Sequence, residues 1–376
     1  MPGTYTLLLD GEPVDEVLHG ALSSLEVEEN CDLPDAVQLN LAVNRTPSGE
    51  PDFPSDARLG PFANVAVVAA VEGGSPECIF DGFVLSHRLH LEPGLTASTL
   101  AVWGQDASWL MNLEEKVREW VDVSDAQVAS VIFGEHGFTP SSDNTEDDSP
   151  SHTEDGHSLM QRGSDIRFLR DLARRNGKLC RVVCGPQPGL RTGYFARPNV
   201  EGDVRATIAL SDAATSTADF MDFEWDVARP SAVRAAQALF DDDDPDGARA
   251  EVRSSGLAPL DERDLATFAG RPVTVLLATP VDDAGELAFR ATAVVREAGW
   301  FVRCEGQAEV SRVGAVLRAN TVVQLEGVGT LHSGKYLVWS VRHTITPESH
   351  QMRFVLWRNG MGPQPTGAGA GLGGLL

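Results

Sequence analysis

Lysine is scarce in this 376-residue chain, where Lys116, Lys178 and Lys335 are the only ones among 30 basic residues set against 55 acidic ones. The lysine shortage reads as a bias of coding or habitat and points to no partner. The charge balance is more informative, because a formal net charge of -25 repels nucleic-acid backbones and anionic lipid surfaces. Tight DNA binding is not expected on that ground. Long apolar runs are also missing: no window approaches the ~20 apolar residues that span a bilayer, so no membrane insertion is expected. The start, Met1-Pro2-Gly3-Thr4-Tyr5, has neither a basic region nor an apolar segment of the secretory kind, and cytoplasmic synthesis is expected. Cysteine is sparse and odd in number. Cys31, Cys78, Cys180, Cys184 and Cys304 suit free thiols in a reducing compartment better than a disulfide framework. Cys180 and Cys184 have no second Cys or His pair at zinc spacing, so packing is expected of them.

Catalytic signatures are absent too. The chain contains no G-x-S-x-G elbow, no H-E-x-x-H and no Cys-His signature, and so no catalytic, cofactor-binding or metal-binding residue is assigned. Two motifs come close. Gly329-Thr330-Leu331-His332-Ser333-Gly334-Lys335-Tyr336 follows the phosphate-cradling loop as far as the lysine, but Tyr336 stands where a Ser or Thr should hold magnesium. The residues after it alternate as a strand, whereas a phosphate loop must open a helix. Asp242, Asp244, Asp246 and Gly247 copy the first half of a calcium loop, and Arg253 then occupies the position that needs a bidentate Glu. A solvated acidic turn is the expectation.

What is present is β structure at both ends with helices between. Tyr5 to Asp10 runs into the hairpin signal Asp10-Gly11, and Val37, Leu39, Leu41 and Val43 alternate at period two. Val65 to Val71, Ile79 to Leu91 and Ser98 to Trp103 complete a set of short strands that suggests a barrel. Ser124 opens a helix with capping-box spacing to Gln127 and apolar positions Val128, Val131 and Ile132. Ser141 to His157 reads as an acidic loop. Ser164 then caps a helix with a buried face of Ile166, Phe168, Leu169, Leu172 and Ala173, stopped by Gly177, and Arg167, Arg170, Arg174 and Arg175 ring its other side. Strands are expected at Leu179 to Val183 and Phe220 to Val227. A polar insertion follows Asp241, and a helix is expected over Ala284 to Ala298. The last strands are Thr321 to Glu326, Tyr336 to Thr346 and Met352 to Trp357; in the middle one, Leu337, Trp339, Val341 and Ile345 are expected on one face. His87, His90 and His343 fall on strands, where a satisfied structural role is the default. Residues 361 to 376 are rich in Gly, Pro and Ala. The segments Gly82 to Trp103 and Gly334 to Trp357 are similar enough to be two related β modules or two unrelated amphipathic hairpins.

Several segments resemble the phage late control gene D proteins, relatives of the hub portion of type VI secretion (VgrG) spike proteins. Those that carry the resemblance are Leu25-Glu26-Val27-Glu28-Glu29, Asp32-Leu33-Pro34-Asp35, Phe80-Asp81-Gly82-Phe83-Val84 and Gly104-Gln105-Asp106. The helix from Ser164 to Ala173 and the closing run Leu325-Glu326-Gly327-Val328-Gly329, Ser333-Gly334-Lys335-Tyr336, Val341-Arg342-His343 and Phe354 to Gly360 belong with them. The resemblance implies a β-rich α+β fold of two tube-type antiparallel β-barrels with an α/β insertion domain and a smaller second insertion. Its expected layout is a first barrel over 1-110, an α/β domain over 111-205, a second barrel over 206-235 and 300-360, an insertion over 236-299 and a tail over 361-376. By the same resemblance the chain is a non-enzymatic baseplate hub of a contractile injection system, assembled in the cytoplasm and built into a phage tail-like particle. It would form a homotrimer that adapts a hexameric inner tube to a trimeric spike, with the spike protein, the inner tube protein and other baseplate components as partners. The chain carries no needle of its own, so a separate spike protein is implied. A cell-wall hydrolase or a carbohydrate-binding module of the same machine is the alternative.

Overall fold

A computed structural model describes residues 4–71, 73–94, 97–145, 151–154, 158–212, 214–237, 248–281 and 284–362. The N-terminal strands are β1 (Thr4–Leu9), β2 (Leu22–Asn30), β3 (Ala36–Val43), β4 (Asn64–Ala70), β5 (Glu77–His90) and β6 (Ser98–Asp106). Their period-two patterns decide which face is buried: Val37, Leu39, Leu41 and Val43 are all nearly solvent-free. Asp10 and Gly11 take positive φ of 49° and 83°, which turns β1 back onto the short strand Glu12–Pro13. Two glycines permit close strand contact. A Cβ on Gly82 would lie 2.0 Å from the Gln105 carbonyl oxygen, and one on Gly104 would lie 2.7 Å from that of Phe83.

Helices α1 (Asp125–Glu135) and α2 (Asp165–Asn176) follow, then β7 (Leu179–Cys184) and β8 (Arg191–Ala196). Ser124 and Gln127 form the reciprocal capping box read from the sequence. Val131, however, is 43% exposed, and the buried face of α1 is Ala126, Val128, Ala129, Ile132 and Phe133. The helical stripe passes through Ala129 and Phe133, and that leaves Val131 outside it. The buried face of α2 is the expected one. Its Ser164 hydroxyl donates to Asn112 Oδ1 at 2.6 Å rather than capping the helix, and Gly177 ends it with φ 59°.

The two helices also repeat one another. Each begins Ser-Asp and ends at a positive-φ glycine at the same spacing, Gly137 in one and Gly177 in the other. Each first-turn aspartate is gripped by the last residue of the other helix or its cap. Asn176 Nδ2 donates to Asp125 Oδ2 at 2.7 Å, and His136 Nε2 lies 2.8 Å from Asp165 Oδ2. Burial pushes both carboxyls up, but these partners, with His152 on Asp125 and Lys116 and Gln161 on Asp165, hold both below the usual carboxylate range.

The rest of the chain contributes β9 (Val204–Ala209), β10 (Ala218–Trp225), β11 (Ala232–Gln237), β12 (Ala248–Val252), β13 (Thr274–Leu277), α3 (Ala284–Ala298), β14 (Val302–Glu309), β15 (Val322–Glu326), β16 (Gly334–Ile345) and β17 (His350–Arg358). β11 pairs with β12 and β13, and α3 covers this small sheet through Leu287, Ala291 and Val295. The acidic turn Asp242 to Gly247 lies outside the described residues.

The fold is β-rich α+β around one large, mainly antiparallel sheet, ordered β10-β14-β17-β16-β2-β3-β6-β5-β4-β1, with β15 on β16 and β9 parallel to β15. The central pairing is β2 with β16, where Val341 faces Glu29 and Ile345 faces Leu25. One hydrophobic core therefore runs through both ends of the chain, including Leu25, Leu39, Val65 and Phe80 with Val302, Leu325, Tyr336 and Phe354. Each such side chain contributes about 1.5–3 kcal/mol when fully buried.

The expected single face of β16 is not seen. A bulge between Val338 and Ser340 inserts one extra residue opposite β17 and reverses the alternation. Val341 and Ile345 enter the main core, whereas Leu337 and Trp339 join a separate cluster with Trp300, Val322 and Trp357. The matching hairpin β5–β6 carries its own bulge between Val84 and Ser86.

Candidate functional site: a charged joint between the strand systems

A cluster of buried charge lies where the N-terminal strands meet everything that follows them. The acids come from the first strand system: Glu29 is the penultimate residue of β2, Asp35 sits before β3, and Glu77 and Asp81 belong to β5. The guanidinium groups come from later in the chain. Arg318 Nε donates to Glu29 Oε1 at 2.6 Å, and the Ala319 N–H reaches the other oxygen at 3.3 Å. Arg205 donates to both Glu77 oxygens at 2.5 Å, with Arg318 3.6 Å away on the other side. Arg181 of β7 spans both Asp35 oxygens at 3.2 Å and donates to the Ala319 carbonyl at 3.4 Å. Arg191 of β8 binds Asp81 at 2.8 and 3.1 Å. At the surface, Arg342 of β16 closes on Glu28 of β2 at 2.6 Å. Planar guanidinium forks match carboxylates in two-point geometry, and the joint therefore fixes orientation as well as proximity.

The electrostatics fit a joint. Burial pushes the Asp35 carboxyl up to about 6 despite Arg181, and burial together with the Asp35 charge pushes Asp106 up to about 6. Asp106 accepts the Asp35 N–H at 2.5 Å. His343 and His350 form a second buried pair with ring nitrogens 3.0 Å apart, and burial holds both down at about 3, so both are neutral. The paired carboxylates and guanidinium groups hold chain segments together, while Arg181 Nε, His343 Nε2 and His350 Nδ1 are buried without a hydrogen-bond partner.

Two surface features adjoin this joint. A groove of about 440 Å³ on α2 is lined by Arg167, Arg170 and Arg174 with Pro34, Gln105 and Ile166. A smaller cavity of about 210 Å³ gathers Trp300, Trp339 and Trp357. Trp339 Nε1 donates to Asp32 Oδ2 at 2.8 Å, and the Arg229 guanidinium covers the Trp357 ring at 5.0 Å. The Trp300 and Trp339 rings are tilted by 56°, and the Trp339 and Trp357 rings meet edge-on at 65°.

The near-miss phosphate motif resolves into local geometry. Gly329–His332 forms a single helical turn, and Gly334 has φ 131° as it enters β16. Tyr336 is fully buried, donates its hydroxyl to the His332 carbonyl at 3.0 Å and lies under Arg358. Its hydroxyl is thus spent inside the core. Of the joint residues, Glu29, Asp35 and Asp81 lie in segments that carry the family resemblance, with no role assigned to them, and Glu77, Arg181 and Arg318 were not singled out by sequence. Glu29 and Arg318 are 289 positions apart, and no local spacing signals their pairing.

With this geometry in view, the chain compares with known proteins as follows. The model of the family described as Alg8 N-terminal domain matches residues 2–347, and the chain belongs to that family. No curated protein sequence matches it. Among solved structures it is similar to the 43 kDa tail protein of prophage MuSo2 from Shewanella oneidensis, at 14% identity and TM-score 0.62, over 96% of this chain and 99% of that one. It is similar also to a tail protein from Neisseria meningitidis, at 12% identity and TM-score 0.63, over 96% of this chain and 98% of that one. An Escherichia coli component of the type VI secretion system, described as similar to the T4 bacteriophage tail proteins gp27 and gp5, matches at 10% identity and TM-score 0.56, over 95% of this chain and 79% of that one. The fold is that of phage tail and type VI secretion proteins. No helix among the described residues is long and apolar enough to cross a membrane.

Proposed function

We propose that this chain is a non-enzymatic baseplate hub of a phage-tail-like contractile injection system, of the late control gene D type. The observation that carries the reading is the β2–β16 pairing, which joins strands from both ends of the chain into one wall held by the Glu29, Glu77 and Asp35 ion pairs. In the proposed hub, each half of that wall curls into a tube-type barrel, and residues 111-205 and 236-299 are insertions on its outside. Three subunits then present six similar walls to a hexameric inner tube while their threefold side grips a trimeric spike. The other baseplate components attach around this ring, and assembly takes place in the cytoplasm.

A closed cyclic interface reuses the same pair of surfaces in every subunit, so the assembly is a discrete species. The test is native mass spectrometry of the chain co-expressed with the spike protein of its own particle. Three copies per spike trimer support the adaptor. One or two copies, or an open-ended series of oligomers, overturn it.

A further inference from the structure

Helix α2 carries cations that its own surroundings leave unpaired. Arg167, Arg170 and Arg174 fall at i, i+3 and i+7, so they form one stripe along the groove of about 440 Å³. Arg167 and Arg170 make no ion pair among the described residues, in contrast to the guanidinium groups of the joint. Arg170 Nε is buried without a hydrogen-bond partner. Arg174 has only Asp171, at 3.9 Å, and the two side chains are 76% and 62% exposed. On a chain of net charge -25, such a cationic strip is a local exception.

The strip leads into the tryptophan cavity. Arg174 lines both the groove and the cavity, and Pro34 and Asp32, from the turn before β3, flank one each. At about 210 Å³ the cavity is smaller than the roughly 300 Å³ of ordinary ligand pockets, and it suits a single anchoring side chain. Its walls are Trp300, 4% exposed, and the half-buried Trp339 and Trp357. Lys178, Arg229 and Arg296 stand around it against Asp32 and Glu297, so the positive excess continues from the groove. Trp and Arg are the side chains in which interface binding energy concentrates.

We propose that the α2 groove and the tryptophan cavity together dock an acidic segment of a partner protein, with its carboxylates on Arg167, Arg170 and Arg174 and one apolar side chain in the cavity. Charge complementarity selects this occupant, because planar guanidinium forks bind carboxylates in two-point geometry. Arg167 and Arg174 lie about 10 Å apart along the helix axis, which about three residues of an extended chain cover. A nucleic acid would meet the same arginines but bring its remaining phosphates against an acidic surface. Docking here uses the surface of one subunit and is independent of the hub assembly.

The experiment titrates the full chain into fluorescein-labelled oligoglutamate peptides, with and without one phenylalanine, and reads anisotropy at low ionic strength. The phenylalanine peptide should bind more tightly, and its binding should weaken with salt. Arg167→Glu/Arg174→Glu should weaken it by roughly tenfold or more, since each exchange replaces an attraction with a repulsion. Both positions are exposed, so the variant should fold, and Arg167→Gln/Arg174→Gln repeats the test without adding charge. Arg88→Glu/Arg353→Glu makes the same charge change at exposed strand positions elsewhere and should leave binding nearly intact. No binding at about 1 mM, equal weakening by that control, or equal affinity of the two peptides overturns the proposal. Tighter binding of oligothymidylate at the same arginines assigns the groove to nucleic acid instead. Self-association abolished only by Arg167→Glu/Arg174→Glu assigns it to a second copy, and either result also overturns the proposal.

Discussion

Replacing Arg181 by Met should expose the energetics of the joint most directly. Arg181 is 5% exposed and bridges Asp35 of the first strand system to the Ala319 carbonyl of the last. Methionine fills much of the same volume but leaves the Asp35 carboxylate buried without its cation, a loss that costs about 3–5 kcal/mol at neutral pH. At about 2–4 °C per kcal/mol for mid-sized domains, the melting temperature should fall by roughly 6–20 °C. The penalty must depend on pH with a definite sign. Asp35 has a folded value of about 6, above its unfolded value of 3.8, so its contribution is fully favourable below 3.8 and is lost as pH rises through the folded value. Without the guanidinium the folded value climbs further, and the loss extends to higher pH. The gap between wild type and variant is therefore widest near pH 8 and narrows toward pH 5, by about 1.4 kcal/mol per unit of added shift. Asp35→Asn in the Arg181→Met background removes the stranded charge and should restore part of the melting temperature. Thermal unfolding of wild type, the two single variants Arg181→Met and Asp35→Asn and the double variant at pH 5, 6, 7 and 8 measures all of this. A gap that stays constant with pH, or additive effects of the two substitutions, would refute the reasoning.

The buried His343–His350 pair predicts the opposite pH sign. Each folded value of about 3 lies below the unfolded 6.5, so the pair's stability is complete above 6.5 and falls by about 2 kcal/mol per histidine at pH 5. Between pH 7 and 5, wild type should lose more stability than a His343→Leu/His350→Leu double variant, as read by denaturant midpoints; equal slopes contradict this. Gly82→Ala places a methyl against the Gln105 carbonyl oxygen, a backbone atom that cannot rotate away, and should cost about 3 kcal/mol or more in thermal unfolding. Gly20→Ala, with open space around it, serves as the comparison, and a Gly82 variant as stable as that one sinks the packing account. Because the Tyr336 hydroxyl is buried and Lys335 lies on a strand, calorimetry should detect no micromolar ATP binding; binding that vanishes in Lys335→Ala would prove otherwise.

Features set by nearby residues were legible in the sequence. The helix over Ala284–Ala298, the Ser124–Gln127 capping box, the Gly177 stop and the alternation along β3 were read in place because each depends on periodicity or capping within a few positions. The exceptions are equally physical. Val131 fits a helical interval but not the one stripe that meets the core, and Trp339 follows a period-two pattern until a bulge breaks it. The bulge depends on the partner strand β17 and so leaves no mark in β16 alone. The reciprocal grip of Asp125 by Asn176 and of Asp165 by His136 was written as a repeat in the two Ser-Asp helices, yet only packing shows that the repeats hold each other. By itself, the sequence determined which segments could be helix or strand. Tertiary structure alone decided that β2 pairs with β16 and that Glu29 meets Arg318, because closing a chain over hundreds of residues is governed by the whole core and not by any local spacing.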